Sequence, residues 1–301
     1  MTILKLIRFP NLLMVFFTQW VIYQMMSKAH QVNSILSNFQ TFDFILLSVC
    51  TMLIAASGYV INDIYDQKID SVNKPEKQIV GKYITGKTAM LIYILLLVFG
   101  FGLAFYLAVQ EAKTPLIVLF PASAFLLFLY ALHFKKTYLL GNVLVSLFVA
   151  AVPIIVILGF FNSLAAANEA FPKQMIAIYI YAAFGFISNL LREIVKDLED
   201  VEGDHLAKAK TLPIVSGSKT ALSICIFLTG LLIVGIIVFI CIDLKNIGAL
   251  LGFLLLAIIA SCLWLINHLR KAEQKGDFGR ISLGIKIIML IGLISLYIWS
   301  I

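Results

Sequence analysis

Apolar residues run through this chain in long blocks, separated by short polar connections. A helix that crosses a bilayer needs about 20 mostly apolar residues. Nine blocks approach or reach that length: residues 11–27, 42–61, 88–108, 115–133, 139–161, 174–191, 220–242, 247–267 and 282–301. The pattern predicts an all-α polytopic membrane protein with nine transmembrane helices. The first block follows Lys5 and Arg8, as the core of a signal peptide would. It ends in Gln24-Met25-Met26-Ser27-Lys28, with no small-residue cleavage site, so it reads as a retained helix.

Composition removes the other classes. The chain has 301 residues, 61% apolar and 13% charged. A soluble domain is about 45–50% apolar and about 25% charged. A soluble fold of this length must cover itself with polar groups, and this chain has too few. A soluble globular enzyme, a disordered chain and a disulfide scaffold are excluded. Cys50, Cys225, Cys241 and Cys262 all lie in apolar stretches, with no CxxC pair and no Cys/His cluster. They read as small packing residues.

The net charge of +7 fits basic loops that meet anionic headgroups rather than a nucleic-acid partner. With the N-terminus inside, eighteen of the 23 Lys and Arg residues fall in inside segments. The outside loops hold only Lys28, Lys113, Lys173 and Lys245. This positive-inside bias predicts a cytoplasmic N-terminus and an external C-terminus.

The acids are sorted more sharply. Ten of 16 occupy two short segments, 62–76 and 192–204, each predicted to follow an even-numbered span on the cytoplasmic side. The segments repeat each other. Asp63, Asp66 and Asp70 form D-x-x-D-x-x-x-D, and so do Asp197, Asp200 and Asp204, 134 residues later. Each runs on to a Lys-Thr-Ala that opens the next span, at Lys87 and Lys219. The repetition predicts two related halves, about 1–138 and 139–301, within one membrane-embedded domain.

On a helix, spacings of three, four and seven put side chains on one face. Each triad is therefore expected to project as a stripe of three carboxylates, which repel one another. Lys68, Arg192 and Lys196 offset part of that charge. The remainder calls for a hard divalent cation. Mg²⁺ takes one or two carboxylates, keeps waters, and completes its shell with phosphate oxygens. Two such stripes predict two or more Mg²⁺ ions bridging a diphosphate.

These residues resemble a known family. Asn62-Asp63-x-x-Asp66-x-x-x-Asp70 is similar to the first signature of the UbiA-type intramembrane prenyltransferases, and the second cluster to their second signature. Arg8-Phe-Pro-Asn11, Tyr130, Lys135-Lys136, Gly141-Asn142 and Thr211-Leu-Pro213 agree with it. The resemblance covers essentially the whole chain. It implies nine helices around a central cavity, two cytoplasmic caps, and Mg²⁺-dependent transfer of an isoprenyl group from a prenyl diphosphate to a lipophilic acceptor. It implies an enzyme in a prokaryotic cytoplasmic membrane, with both motifs on the cytoplasmic side. No nucleic acid and no required protein partner are expected.

Carried over by position, Asn62, Asp66 and Asp70 bind one Mg²⁺, and Asp200 and Asp204 bind the other. Asp63 and Asp197 assist. Asp66, Asp70, Asp200 and Asp204 carry the catalysis. Lys135, Lys77, Arg192 and Lys196 contact the diphosphate. Asn142 lines the cavity, Tyr130 binds substrate as an aromatic beside the motifs, and Arg8 and Asn11 reach the acceptor. The family usually has an Arg-Pro-like pair after the first motif. Here the stretch is Asn73-Lys74-Pro75-Glu76-Lys77-Gln78-Ile79, with Gln78 where Pro is common. His133 and His205 lack metal-site partners and read as interfacial.

The string from Arg192 to Asp204, R-E-x-x-K-D-x-E-D-x-x-G-D, resembles the digeranylgeranylglyceryl phosphate synthase branch. That branch implies a geranylgeranyl donor and geranylgeranylglyceryl phosphate as acceptor. The quinone-pathway branches, with 1,4-dihydroxy-2-naphthoate or 4-hydroxybenzoate, are the alternative. A cation-coupled transporter fits less well, because transporters place ionisable groups near mid-membrane. Here they sit at span ends.

Overall fold

The structure is a computed structural model that describes residues 2–32, 40–73, 75–76, 78–110, 115–160 and 172–300. Among these, the apolar blocks form nine long helices: α2 (Phe9–Val32), α3 (Thr41–Tyr65), α5 (Gly86–Gln110), α6 (Pro115–Leu132), α7 (Leu140–Gly159), α8 (Pro172–Glu199), α11 (Ser218–Asp243), α12 (Ala249–Lys271) and α13 (Lys275–Ser300). Short helices fill the connections: α1 (Thr2–Leu6), α4 (Gln67–Asn73), α9 (Val201–Leu206) and α10 (Leu212–Ser216).

Eight of the nine are long and apolar enough to cross a membrane. The exception is α2, so the expected count of nine spans is not exact. The physical reason lies in its sequence: Thr18, Gln19, Gln24, Ser27 and Lys28 dilute its apolar run. Thr18 and Gln19 are both buried, and Gln19 Nε2 donates to Thr51 Oγ1 at 3.1 Å and to the Val152 carbonyl at 3.4 Å. A fully buried amide needs such partners.

The helices also outrun the apolar blocks. The sixth block stops at 191, but α8 continues to Glu199, because Arg, Glu, Lys and Leu are good helix formers once the bilayer requirement ends. The last block opens at 282, yet α13 begins at Lys275. There Asp277 Oδ2 accepts the backbone N–H groups of Gln274 and Glu273 at 3.1 and 3.3 Å, which caps the start.

The chain divides into two compact units. One comprises Met1–Lys135 and Val152–Ile178, the other Lys136–Ala151 and Tyr179–Ile301. In the first, α3 packs against α2, α5 and α6. Gly100 lets α5 approach: a Cβ there would lie 2.9 Å from Ile54 Cδ1. In the second, α12 packs between α11 and α13 around Leu251, Leu255, Ile258, Cys262 and Leu265. Gly292 on α13 meets Phe184, whose ring a Cβ would reach at 2.4 Å. The outer faces stay apolar: Phe99 is 63% exposed and Val118 69%. Faces of that kind suit lipid.

Candidate active site

The two acidic motifs lie at the ends of α3 and α8, one in each unit, and each interrupts its helix at the middle aspartate. The expected stripe on one continuous helix is not what forms. In the first motif, Asn62 and Asp63 belong to α3, Asp66 sits at the junction, and Asp70 belongs to α4. In the second, Asp197 belongs to α8, Asp200 sits at the junction, and Asp204 belongs to α9. The junction aspartates have φ/ψ of −89°/−3° and −104°/9°, in the sparsely used bridge region favoured by active-site residues. Backbone bonds continue through each break, Asp66 N to Asn62 O at 2.9 Å and Asp200 N to Lys196 O at 2.9 Å. Repulsion between stacked carboxylates gives a physical reason for the helix to turn there.

In the first motif, Asn62 Nδ2 donates to Asp66 Oδ2 at 2.6 Å, and Lys135 Nζ forms an ion pair with Asp66 Oδ1. Lys135 comes from the 3₁₀ turn Phe134–Lys136 that follows α6. Arg8 Nη2 donates to Asp63 Oδ1 at 2.9 Å, and its guanidinium lies 4.8 Å from the centre of the Tyr59 ring. Arg8 adopts φ +51°, which turns the chain between α1 and α2. Leu6 just before it is fully buried with Val60, Val80 and Ala89. Asn11 Nδ2 reaches Tyr59 Oη at 3.5 Å. Tyr130 is half-buried on the last turns of α6, and exposed Tyr65 stands edge-on to Phe128.

The departure at Gln78 has a structural consequence. Gln78 Nε2 donates to the carbonyls of Gln67 and Val80 at 3.0 and 3.2 Å. These bonds tie the connection to α4, beside Asp70. Lys77 lies outside the described residues.

The second motif is supported differently. Asn142 Nδ2 donates to Asp197 Oδ2 at 2.7 Å. Ser146 Oγ donates to the Asn142 carbonyl at 2.6 Å, and Asn189 Nδ2 donates to Ser146 Oγ at 3.2 Å. All three residues are buried. Arg192 and Lys196, expected at a diphosphate, both engage Glu193, at 2.8 and 3.0 Å. Glu193 was not among the expected site residues, although its i,i+3 spacing to Lys196 is legible in sequence. The Arg8–Asp63 and Asn142–Asp197 partnerships join residues 55 apart and carry no local signal. His133 and His205 are exposed.

Metal fit can be judged from the donors. Among the described residues, no three His, Cys, Asp or Glu side chains cluster closely enough to hold an ion alone. The first motif does offer hard oxygens, including Asn62 Oδ1, which is shut off from solvent and has no hydrogen-bond partner. A cation that takes one or two carboxylates, an amide oxygen and outside oxygens fits this set.

Residues 14–284 match the UbiA prenyltransferase family. The chain belongs to that family. It is an integral membrane protein and a prenyltransferase by membership. Digeranylgeranylglyceryl phosphate synthase of Methanopyrus kandleri is 29% identical over 254 residues, 83% of this chain and 85% of that protein. A solved structure of a digeranylgeranylglyceryl phosphate synthase is 26% identical, with a TM-score of 0.67 over 99% of this chain and 97% of that one. A UbiA homolog from Archaeoglobus fulgidus, solved bound to GPP and Mg²⁺, is 17% identical with a TM-score of 0.55, over 98% of this chain and 99% of that one. This last likeness bears on the fold.

Proposed function

We propose that this UbiA-family protein transfers a geranylgeranyl group from its diphosphate to a phosphate-bearing lipid, geranylgeranylglyceryl phosphate. The observation that carries the acceptor is the similarity, along most of the chain, to proteins named digeranylgeranylglyceryl phosphate synthase. The family alone carries the prenyl transfer.

In this reading Asn62, Asp66 and Asp70 hold one Mg²⁺, and Asp200 and Asp204 another, with Asp63 and Asp197 supporting. The bound metal would supply charge neutralisation at the leaving diphosphate. The Archaeoglobus fulgidus homolog, solved bound to GPP and Mg²⁺, supports the choice of ion. The allylic C–O bond breaks and its electron pair leaves with the diphosphate. The acceptor hydroxyl oxygen bonds to the allylic carbon and loses its proton. Lys135, Lys77, Arg192 and Lys196 serve the diphosphate. Asn142 and Tyr130 line the substrate space, and Arg8 and Asn11 serve the acceptor.

The chain acts as one domain of two related halves. Its N-terminus and both motifs face the cytoplasm of a prokaryotic cell. The charge bias of the loops supports that orientation.

An acceptor panel tests the reading. Purified protein with Mg²⁺ and labelled geranylgeranyl diphosphate is expected to label geranylgeranylglyceryl phosphate. Labelled dihydroxynaphthoate or hydroxybenzoate instead would move the protein to a quinone-pathway branch.

A further inference from the structure

In the first motif a protein cation occupies the oxygen a metal would need. Asp66 Oδ2 accepts from Asn62, and Asp66 Oδ1 is paired with Lys135 Nζ. The two paired side chains are only 13% and 11% exposed. A carboxylate so removed from water is costly without a cation beside it, and Lys135 supplies that cation. Asn62 Oδ1, in the same cluster, is buried and has no hydrogen-bond partner. Three oxygens suited to a hard cation are thus together, and an ammonium holds one of them.

We propose that Lys135 is a stand-in cation for the metal of the first motif, and that it gives up Asp66 when a diphosphate arrives with the metal. The proposal rests on the Mg²⁺ reading above. A metal binding alone must displace the ammonium and leave it partly buried beside a second positive charge. A metal that arrives with a diphosphate brings oxyanions to which the same ammonium can turn. The lysine stem has the rotatable bonds for that movement, and its 3₁₀ turn lies at the end of α6 rather than inside a helix. Metal and diphosphate binding are then coupled through one side chain, and coupling of this kind is reciprocal. The device keeps the motif from filling with metal before the substrate is present.

Mn²⁺ titration, with free ion read by electron paramagnetic resonance, tests this without turnover. Detergent-purified protein is titrated with and without inorganic pyrophosphate, correcting for ion held by free pyrophosphate. The native protein is expected to bind Mn²⁺ weakly alone and about tenfold or more tightly with pyrophosphate. Lys135→Met is expected to bind Mn²⁺ alone about tenfold more tightly than native and to lose most of the pyrophosphate effect. Lys135→Gln serves as a second neutral variant should the first not fold, and Lys135→Arg is expected to stay native-like. Equal affinity for Mn²⁺ alone in the native and neutral variants, with Asp66→Asn weakening binding in all, would overturn the stand-in and leave the metal reading intact. Mn²⁺ binding that ignores Asp66→Asn would overturn the metal reading itself.

Discussion

Asp66 and Asp200 occupy the same turn between a long helix and a short one, with nearly the same backbone angles. Their surroundings differ. The first motif is balanced by cations brought from afar in sequence, Arg8 on Asp63 and Lys135 on Asp66. In the second, Asp197 meets the neutral amide of Asn142, while Arg192 and Lys196 are engaged by Glu193 one turn earlier. The backbone device is repeated, and the side chains that meet the carboxylates differ. Two motifs of one spacing can thus share a backbone turn while different side chains meet their carboxylates.

The sharpest way to break this comparison is to remove each junction carboxylate. Asp66→Ala and Asp200→Ala are both expected to slow pyrophosphate release by about 10²–10³-fold, the usual loss when one stabiliser of a developing oxyanion is removed. Chelation by EDTA is expected to reduce the native protein further. A variant at one junction that keeps full rate, assayed beside the other, would end the equivalence of the two motifs.

A smaller effect separates the two kinds of compensation. Asn142→Ala leaves buried Asp197 short of a donor and is expected to cost about 1–3 kcal/mol. Arg8→Ala is expected to cost less, because the Arg8 side chain is 38% exposed and water can replace it. Thermal unfolding in detergent ranks the two. A larger loss for Arg8→Ala would mean that the first motif, not the second, depends more on its partner.

The smallest expected difference compares helix packing in the two units. Gly292→Ala pushes a methyl into the rigid Phe184 ring and is expected to cost about 1–3 kcal/mol. Gly100→Ala meets the flexible end of Ile54 and is expected to cost under about 1.5 kcal/mol. Unfolding temperatures of the two variants check the order.

Most of this fold was legible in the order of residues. Helix existence followed from block length, because a bilayer forces every backbone group to be satisfied within its own segment. Blocks from 42 onward became long apolar helices. Helix ends were less legible. The membrane requirement stops at 191, whereas hydrogen bonding and propensity carry α8 to Glu199. The first block was the least apolar of the nine, because Gln19 and its polar neighbours interrupt it. At the candidate site, the motif residues and their repeat were visible, but the helix interruption at Asp66 and Asp200 was not. Sequence spacing assumes a straight helix and says nothing about where repulsion breaks it.

By itself, then, the sequence determined the class, the helices and the identity of the acids, because these depend on local composition and short spacings. The pairings were decided only by tertiary structure. Arg8 with Asp63, Lys135 with Asp66, and Asn142 with Asp197 join residues 55 to 69 positions apart. Nothing along the chain selects among its 23 basic residues which ones will meet which acids. That choice falls to helix packing, which brings particular side chains together away from water, where an unbalanced charge costs most.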